Sequence, residues 1–174
     1  KENPGGAGIL VMDSNGDLFV GVPLFCDEGQ DVAFIAAMKR DEDGKSTPAS
    51  PQSHLSVFAA SDPQMGDRVF TIGFPLVGDL GLEPQYQEGV ISRLTGNLIE
   101  LSMPVLPGNS GGPILLSGTG GLVGIVVARA NDEFFMTKHN LVPHGLAWGV
   151  TGSVLFEQMR KEMQAWNGVQ TAKL

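Results

Sequence analysis

One serine lies in a segment whose residue types suit nucleophilic catalysis. Residues 107–113 read Pro-Gly-Asn-Ser-Gly-Gly-Pro, and Ser110 stands at the centre. A nucleophilic hydroxyl must lie in a tight, open turn, with backbone N–H groups that converge on the oxyanion of a tetrahedral intermediate. Gly108 permits backbone angles that other residues avoid, so the N–H groups of Gly108 and Ser110 are predicted to form an oxyanion hole. A plain glycine turn is the alternative, because the chain contains 24 glycines.

A serine hydroxyl is a poor nucleophile until a base removes its proton. The chain has three histidines, His54, His139 and His144. His54 is predicted to be a surface residue at the start of a strand, and His139 and His144 are predicted to flank a loop. No carboxylate or second histidine lies near them at metal-ligand spacing, so neither a metal site nor a cofactor is predicted. The single cysteine, Cys26, excludes an internal disulfide framework and is interpreted as a buried or half-buried thiol.

Composition excludes several classes of protein. The net charge is −8, from 11 Lys and Arg against 19 Asp and Glu, which argues against non-specific nucleic-acid binding. No run of about 18 apolar residues exists, so no membrane span is predicted. Hydrophobic residues make up 42% of the chain, enough for a packed core in one domain or in two small lobes. The first residues carry neither an initiator Met nor the apolar core of a signal peptide, and we expect the chain to be a piece of a longer protein. The compartment stays unassigned.

The elements that must position Ser110 are predicted to be mainly short strands joined by glycine and proline turns. Asn15-Gly16 is predicted to be the turn of a first hairpin, and residues 39–53 are predicted to be a mobile loop. Apolar spacing predicts one helix, capped by Thr151 or Ser153 and ending near Trp166. The predicted strands cover residues 8–11, 18–22, 32–35, 55–59, 68–74, 89–94, 98–101, 112–116, 122–128 and 146–150. The predicted architecture is all-β, as barrels, with a C-terminal helix.

The Ser110 segment resembles the active-site loop of chymotrypsin-like serine proteases, the trypsin superfamily, and is closest to the HtrA-type bacterial branch. Further matches occur in the family's order over roughly residues 31–166, among them Asp31-Val32-Ala33-Phe34-Ile35 and residues 66–75. The resemblance implies a chymotrypsin-like double β-barrel, with residues 1–60 as a partial N-terminal barrel and residues 61–174 as the C-terminal barrel plus helix. It also implies a serine endopeptidase that acts on a peptide or protein, with Ser110 as nucleophile and Asp31 orienting a histidine.

The chain departs from the family at the catalytic base. The family order is His, Asp, Ser, whereas every histidine here follows Asp31. In one explanation, residues 9–35 form the hairpin and strand that precede and include the aspartate, and the strands with the histidine lie upstream of the chain. In the other, residues 6–16 are the family's first hairpin, the histidine position falls near Pro23, and the protein is a pseudo-protease. The first is favoured because residues 24–30 are too few to complete a six-stranded barrel.

The missing strands predict two properties. The isolated chain is expected to have no peptidase activity, because a base must lie about 3 Å from the serine oxygen. An apolar edge of the first barrel is expected to be exposed at Leu10, Leu18, Val20 and Phe34, and to be covered by another polypeptide, a second copy or a rearranged N-terminal segment. The alternative functions are a protease-like scaffold that binds extended peptides without catalysis and a processed fragment.

The resemblance also implies a specificity pocket. Pro104, six residues before Ser110, corresponds to the pocket floor. The strand that pairs with substrate and lines one wall corresponds to Val127, Ala128 and Arg129, and the opposite wall falls near Gly145. Because the floor is not acidic, cleavage after Lys or Arg is not expected. The substrate residue before the cleaved bond is expected to have a small or medium apolar side chain. Arg129 leaves an acidic side chain at that position as an alternative.

Overall fold

The computed structural model describes residues 9–13, 15–41, 43, 45–48, 62–76, 81, 83–129, 132–140 and 145–171. These residues form ten strands and two helices. The strands are β1 (Ile9–Met12), β2 (Leu18–Asp27), β3 (Val32–Arg40), β4 (Ser46–Pro48), β5 (Arg68–Gly73), β6 (Gln85–Thr95), β7 (Leu98–Ser102), β8 (Pro113–Leu116), β9 (Leu122–Arg129) and β10 (Leu146–Thr151). The helices are α1 (Asp132–His139) and α2 (Gly152–Thr171). Neither described helix has the length and apolar character needed to cross a membrane.

The strands form two antiparallel sheets, one open and one closed. The open sheet has the order β1-β2-β3-β4, and the other strands close a barrel in the order β10-β7-β6-β5-β8-β9. The chain divides into two compact units, Lys1–Ser56 with Lys161–Leu174 and Val57–Arg160. The open sheet belongs to the first unit and the barrel to the second. The predicted all-β architecture, with an incomplete first barrel, a closed second barrel and a C-terminal helix, is confirmed.

Alternating apolar residues on the barrel strands fill its interior. In β5 and β7, every second residue is buried, which is the pattern of a strand with one face toward a core. The barrel core consists of Val69, Ile91, Ile99, Leu101, Met103, Val105, Ile114, Val123, Val126 and Ala147. At Gly149, a Cβ atom would lie 2.2 Å from Ile114 Cδ1 and 2.6 Å from the Ile125 carbonyl oxygen. A side chain at this position would therefore have to displace Ile114 and the Ile125 backbone.

The open sheet exposes one apolar face. The pairing of β1 with β2 sets Leu10 opposite Val20 and Met12 opposite Leu18, so these side chains share a face. Leu10 is 70% exposed, Leu18 63% and Val20 43%, and their predicted exposure is confirmed. Phe34 differs, because it is half-buried and its ring centroid lies 6.1 Å from that of Phe25.

In the first unit, two parts of the chain differ from the sequence-based prediction. The predicted loop at residues 39–53 is wrong in its described part, because β3 continues to Arg40 and β4 pairs with it. The hairpin is closed by Asp41, whose Oδ1 accepts the Lys45 N–H at 2.7 Å. Cys26 is exposed, not buried or half-buried, because it alternates along β2 with the half-buried Phe25 and Asp27.

The structure also revises the C-terminal part. The sequence predicts one helix, whereas the described residues include a second, α1, which ends at His139. Helix α2 extends to Thr171 instead of ending near Trp166. Most of the loop predicted between His139 and His144 lies outside the described residues. Capping by Thr151 or Ser153 stays a prediction; their hydroxyl groups lie 2.9 Å apart at the start of α2. The predicted strand at residues 55–59, His54 and His144 lie outside the described residues.

We predict that Gly149→Ala destabilises the barrel by about 1–3 kcal/mol, because the new methyl group overlaps Ile114 and a strand carbonyl. Gly118→Ala is the matched control, since a Cβ atom at Gly118 meets nothing within 4 Å, and its effect is expected to stay within about 0.5 kcal/mol. Urea unfolding of both variants measures the difference. Equal free energies of unfolding for the two variants would contradict the packing described for Gly149.

Candidate active site

Among the described residues, the backbone hydrogen bonds of the Ser110 loop leave two N–H groups without a backbone acceptor. Three N–H groups of the loop are committed, which means that they donate to backbone carbonyls. These bonds run from Asn109 N–H to Leu106 O at 3.1 Å, from Gly111 N–H to Val126 O at 2.7 Å and from Gly112 N–H to Asn109 O at 2.9 Å. Within the part of the chain that the structure describes, the N–H groups of Gly108 and Ser110 donate to no backbone carbonyl. Both residues are exposed. These two amides are the ones predicted for an oxyanion hole; that they converge on one point stays a prediction.

Gly108 is held in a conformation and a space that only glycine fits. Its φ is +100°, in the left-handed region that other residues avoid. A Cβ atom here would lie 2.6 Å from the Phe74 carbonyl oxygen and 3.1 Å from Pro75 Cα. The adjacent segment is tied down, because Leu76 N–H donates to Pro107 O at 2.9 Å. The loop is therefore braced from one side by residues 74–76.

The Ser110 hydroxyl is open to solvent. The residue is exposed, and its Oγ donates to the Val127 carbonyl oxygen at 3.5 Å. A hydrogen bond at this distance is weak, so the hydroxyl can turn toward another partner at little cost. The structure thus brings together Gly108, Ser110 and the β9 residue Val127.

Asn109 lies between the two uncommitted amides and points inward. It is 1% exposed, and its Nδ2 donates to Gln87 Oε1 on β6 at 2.5 Å. Sequence reasoning missed both side chains. The sequence offers one signal for Gln87, which lies between Tyr86 and Glu88. Because alternate residues of a strand face opposite sides, Gln87 faces away from these two residues.

Charged side chains lie on the exposed face of the hairpin formed by β5 and β6, to which Gln87 belongs. Glu88 accepts hydrogen bonds from Arg68, at 2.7 Å from Nη2, and from the Tyr86 hydroxyl at 3.1 Å. The hydrogen bond from Arg68 is the main reason that the pKa of the Glu88 carboxyl is lowered, followed by that from Tyr86. These groups lie on the exposed side of β6, so Gln87 belongs to the interior side.

The residues predicted to line a specificity pocket lie at the ends of barrel strands. Pro104 is exposed and follows the buried Met103. Gly145 has a φ of +75°, and a Cβ atom there would meet the Met103 backbone at 3.6 Å. The structure therefore brings Gly145 against the residue that precedes Pro104.

The remaining pocket residues end β9. Ala128 pairs with Trp148 and Arg129 with Ala147 of β10. On the other side of β9, pairing with β8 involves β9 residues only up to Ile125, and Val126 exchanges hydrogen bonds with Gly111 and Gly112. Among the described strands, the side of residues 127–129 that faces away from β10 therefore has no partner.

Asp31 lies in the first unit and Ser110 in the second. Asp31 is exposed, has a φ of +54° and immediately precedes β3. Aspartate is among the few residues that tolerate this left-handed conformation. Its predicted role in orienting a histidine stays a prediction. His139 is exposed at the end of α1.

Comparison with known families identifies the class. Residues 3–125 match the trypsin-like peptidase domain, and the chain belongs to this family. The resemblance to chymotrypsin-like serine proteases is therefore confirmed. An uncharacterized protein of Sinorhizobium fredii (strain NBRC 101917 / NGR234), y4bJ, is 27% identical over 100 residues, which cover 55% of this chain and 16% of that protein.

Solved structures share the fold. The serine endoprotease from Yersinia pestis is 24% identical, with a TM-score of 0.63 over 90% of this chain and 49% of that chain. The HtrA-type protease AlgW, solved with a decapeptide, is 19% identical, with a TM-score of 0.66 over 92% of this chain and 46% of that chain. The fold is thus that of chymotrypsin-like proteases, and this chain spans about half the length of either protein.

We predict that Gly108→Ala destabilises the protein more than Gly111→Ala. Gly111 shares the left-handed conformation, with a φ of +82°, but a Cβ atom there meets nothing within 4 Å. Gly111→Ala should therefore cost only the backbone strain, about 1–2 kcal/mol, whereas Gly108→Ala adds the overlap with Phe74 O. Chemical unfolding of the pair measures the difference, and equal losses would contradict the bracing of the loop by residues 74–76.

Proposed function

We propose that the chain is part of a serine endopeptidase that works through an acyl-enzyme, with the catalytic histidine supplied from outside these 174 residues. The observation that carries this proposal is the arrangement of the Ser110 loop. An exposed serine hydroxyl stands beside two N–H groups that have no backbone acceptor among the described residues, while the amides around them are committed. Such uncommitted donors are what an oxyanion hole requires.

The reaction follows from these groups. The Ser110 Oγ attacks the carbonyl carbon of a peptide bond while the histidine takes the hydroxyl proton. The negative charge that develops on the substrate oxygen is held by the N–H groups of Gly108 and Ser110. Collapse of this intermediate breaks the C–N bond, and the amine leaves with the proton from the histidine. Water then hydrolyses the ester on Ser110 and restores the hydroxyl.

Two features support a base from another segment. Every histidine of the chain follows Asp31 in sequence, whereas the family order places the base before it. In the first unit, Leu10, Leu18 and Val20 are exposed on one face of an open sheet. Apolar faces of this kind are normally covered. In our proposal, the segment that covers this face completes the first barrel and carries the histidine, which Asp31 orients.

The substrate is an extended peptide or protein segment. Residues 127–129 offer strand pairing on the side of β9 that has no partner among the described strands. Pro104 forms an apolar floor and Gly145 the opposite wall, so a small or medium apolar side chain precedes the cleaved bond. Arg129 makes an acidic side chain the alternative at this position.

A peptide-binding scaffold without catalysis is the second candidate. It is favoured by the position of the three histidines, which all follow Asp31 in sequence, and by the Ser110 hydroxyl, which donates to Val127 O. A serine-reactive fluorophosphonate probe distinguishes the two. Labelling of Ser110 in the full-length product of the gene, absent in Ser110→Ala, supports the peptidase. Absence of labelling favours the scaffold.

We predict that Ser110→Ala and Asp31→Asn each suppress peptide hydrolysis by the full-length product by roughly three or more orders of magnitude. Stability should change little, because Ser110 is exposed and Asn also tolerates the left-handed conformation of residue 31. Turnover of an unfolded protein and urea unfolding measure the two properties. Full hydrolysis by the Ser110→Ala protein would remove the proposed chemistry.

We predict that the 174-residue chain alone does not turn over an unfolded protein, because no base lies at the family position. The full-length product, assayed in parallel, is the positive control. Steady turnover by the isolated chain that disappears in Ser110→Ala would retain the peptidase function but refute an external histidine.

A further inference from the structure

We infer that Gln87 is a positioning residue for Ser110. Its side chain holds the buried side chain of Asn109 and thereby fixes the loop that presents the nucleophile and the two uncommitted amides. The inference rests on the proposed function of the Ser110 loop. It gives a role in that function to a residue on β6, which is distant from the loop in sequence.

The barrel wall turns Gln87 toward the loop. On β6, Tyr86 and Glu88 lie on the exposed face, so Gln87 between them faces the other side. Gln87 pairs with Thr71 on β5, and residues directly opposite each other share a face. Thr71 is fully buried. Gln87 therefore presents its amide to the barrel interior.

Asn109 is the loop residue that meets this amide. Its Nδ2 donates to Gln87 Oε1, a hydrogen bond between residues 22 apart in sequence. Its Oδ1 is buried and has no hydrogen-bond partner among the described residues. A half-satisfied buried amide costs stability. Among the described residues, the bond to Gln87 is the polar contact that holds the Asn109 side chain in the interior.

The surrounding backbone leaves Asn109 little room. A Cβ atom at Gly73 would lie 2.6 Å from Asn109 Oδ1, and one at Gly112 would lie 2.8 Å from the Asn109 carbonyl oxygen. Both neighbours are glycines, so the backbone approaches the loop closely on each side. Asn109 is thus fitted into a narrow space and oriented by one amide.

The position of Asn109 in the chain links this contact to catalysis. The backbone torsions of Asn109 connect the peptide that follows Gly108 to the peptide that contains the Ser110 N–H. If the Asn109 side chain leaves the interior, these peptide planes turn, and the relative directions of the two amides change. Gln87 thereby acts on the reacting groups through Asn109, without contact with substrate.

Hydrogen exchange tests the contact with three variants. Gln87→Met keeps the length but removes the acceptor, Gln87→Glu keeps an acceptor oxygen, and Gln85→Met makes the same change two residues away on the same strand face. In Gln87→Met, we expect the committed N–H groups of Asn109, Gly111 and Gly112 to exchange about tenfold faster or more. We expect rates in β7 to stay unchanged, and wild-type loop rates in Gln87→Glu and Gln85→Met.

Three outcomes would overturn the inference: unchanged loop exchange in Gln87→Met, an equal rise throughout the barrel, or no restoration in Gln87→Glu. A measurement on the wild-type protein tests the contact even if a variant does not fold. The side-chain amide protons of Asn109 should exchange about tenfold or more slowly than those of Asn97, which is exposed. Equal rates for the two side chains would also refute the contact.

Probe labelling separates this inference from the proposed function. In the full-length product, Gln87→Met should slow fluorophosphonate labelling of Ser110 about tenfold or more, with recovery in Gln87→Glu. If wild-type Ser110 does not react, the proposed function fails while hydrogen exchange still tests the contact. If Ser110 reacts equally fast in Gln87→Met and wild type, only the positioning role fails.

Discussion

The site depends on how the amides of one loop are distributed between the protein and an incoming substrate. Asn109, Gly111 and Gly112 commit their N–H groups to backbone carbonyls, and Val126 of β9 exchanges hydrogen bonds with two of these residues. This pattern ties the loop to the barrel and leaves the Gly108 and Ser110 N–H groups without backbone acceptors among the described residues. The positive φ of Gly108 and its close approach to residues 74–76 make the pattern possible. A rigid barrel with a closed hydrogen-bonded wall supplies the support that such a loop needs.

The two sheets differ in completeness, because one closes into a barrel and the other stays open. The six-stranded barrel encloses an apolar core, whereas the described open sheet leaves Leu10, Leu18 and Val20 exposed. Because the chain spans about half of the solved proteins that share its fold, their whole-protein activity is carried over here only as a proposal. The incomplete first barrel and the lack of a histidine before Asp31 concern the same region of the fold. We therefore propose that one further segment covers the open sheet and supplies the histidine.

Features set by local sequence could be predicted. The Asn15-Gly16 turn forms as expected, with Asp13 Oδ1 accepting the Asn15 and Asp17 N–H groups at 2.9 Å and 3.0 Å. Helix α1 has local signals as well, since Asp132 and Glu133 begin it and Lys138 and His139 end it, as the helix dipole favours. No helix is predicted at these residues because they lack apolar periodicity. The end of α2 was placed too early because boundaries follow weak preferences.

Features that depend on distant contacts could not be predicted. Strand β4 is held by pairing with β3 and by the Asp41 turn, and its own three residues have no strand pattern. The contact of Gln87 with Asn109 joins residues 22 apart, and a single glutamine in a strand gives no sign of its partner. The serine loop was recognisable because its glycines are required by local backbone geometry. The role of Asp31 stays a prediction, because neither its sequence nor its position before β3 decides it.

We propose that the Gly108 and Ser110 amides receive the oxyanion. A peptide boronic acid forms a tetrahedral adduct with a nucleophilic serine, and one of its oxygens takes the place of the oxyanion. In the full-length product, NMR spectra with this ligand should shift the Gly108 and Ser110 N–H signals downfield, while the Gly111 signal, committed to Val126 O, moves little. The Ser110→Ala protein should show neither change. An adduct on Ser110 that leaves both amide signals unmoved would contradict the account.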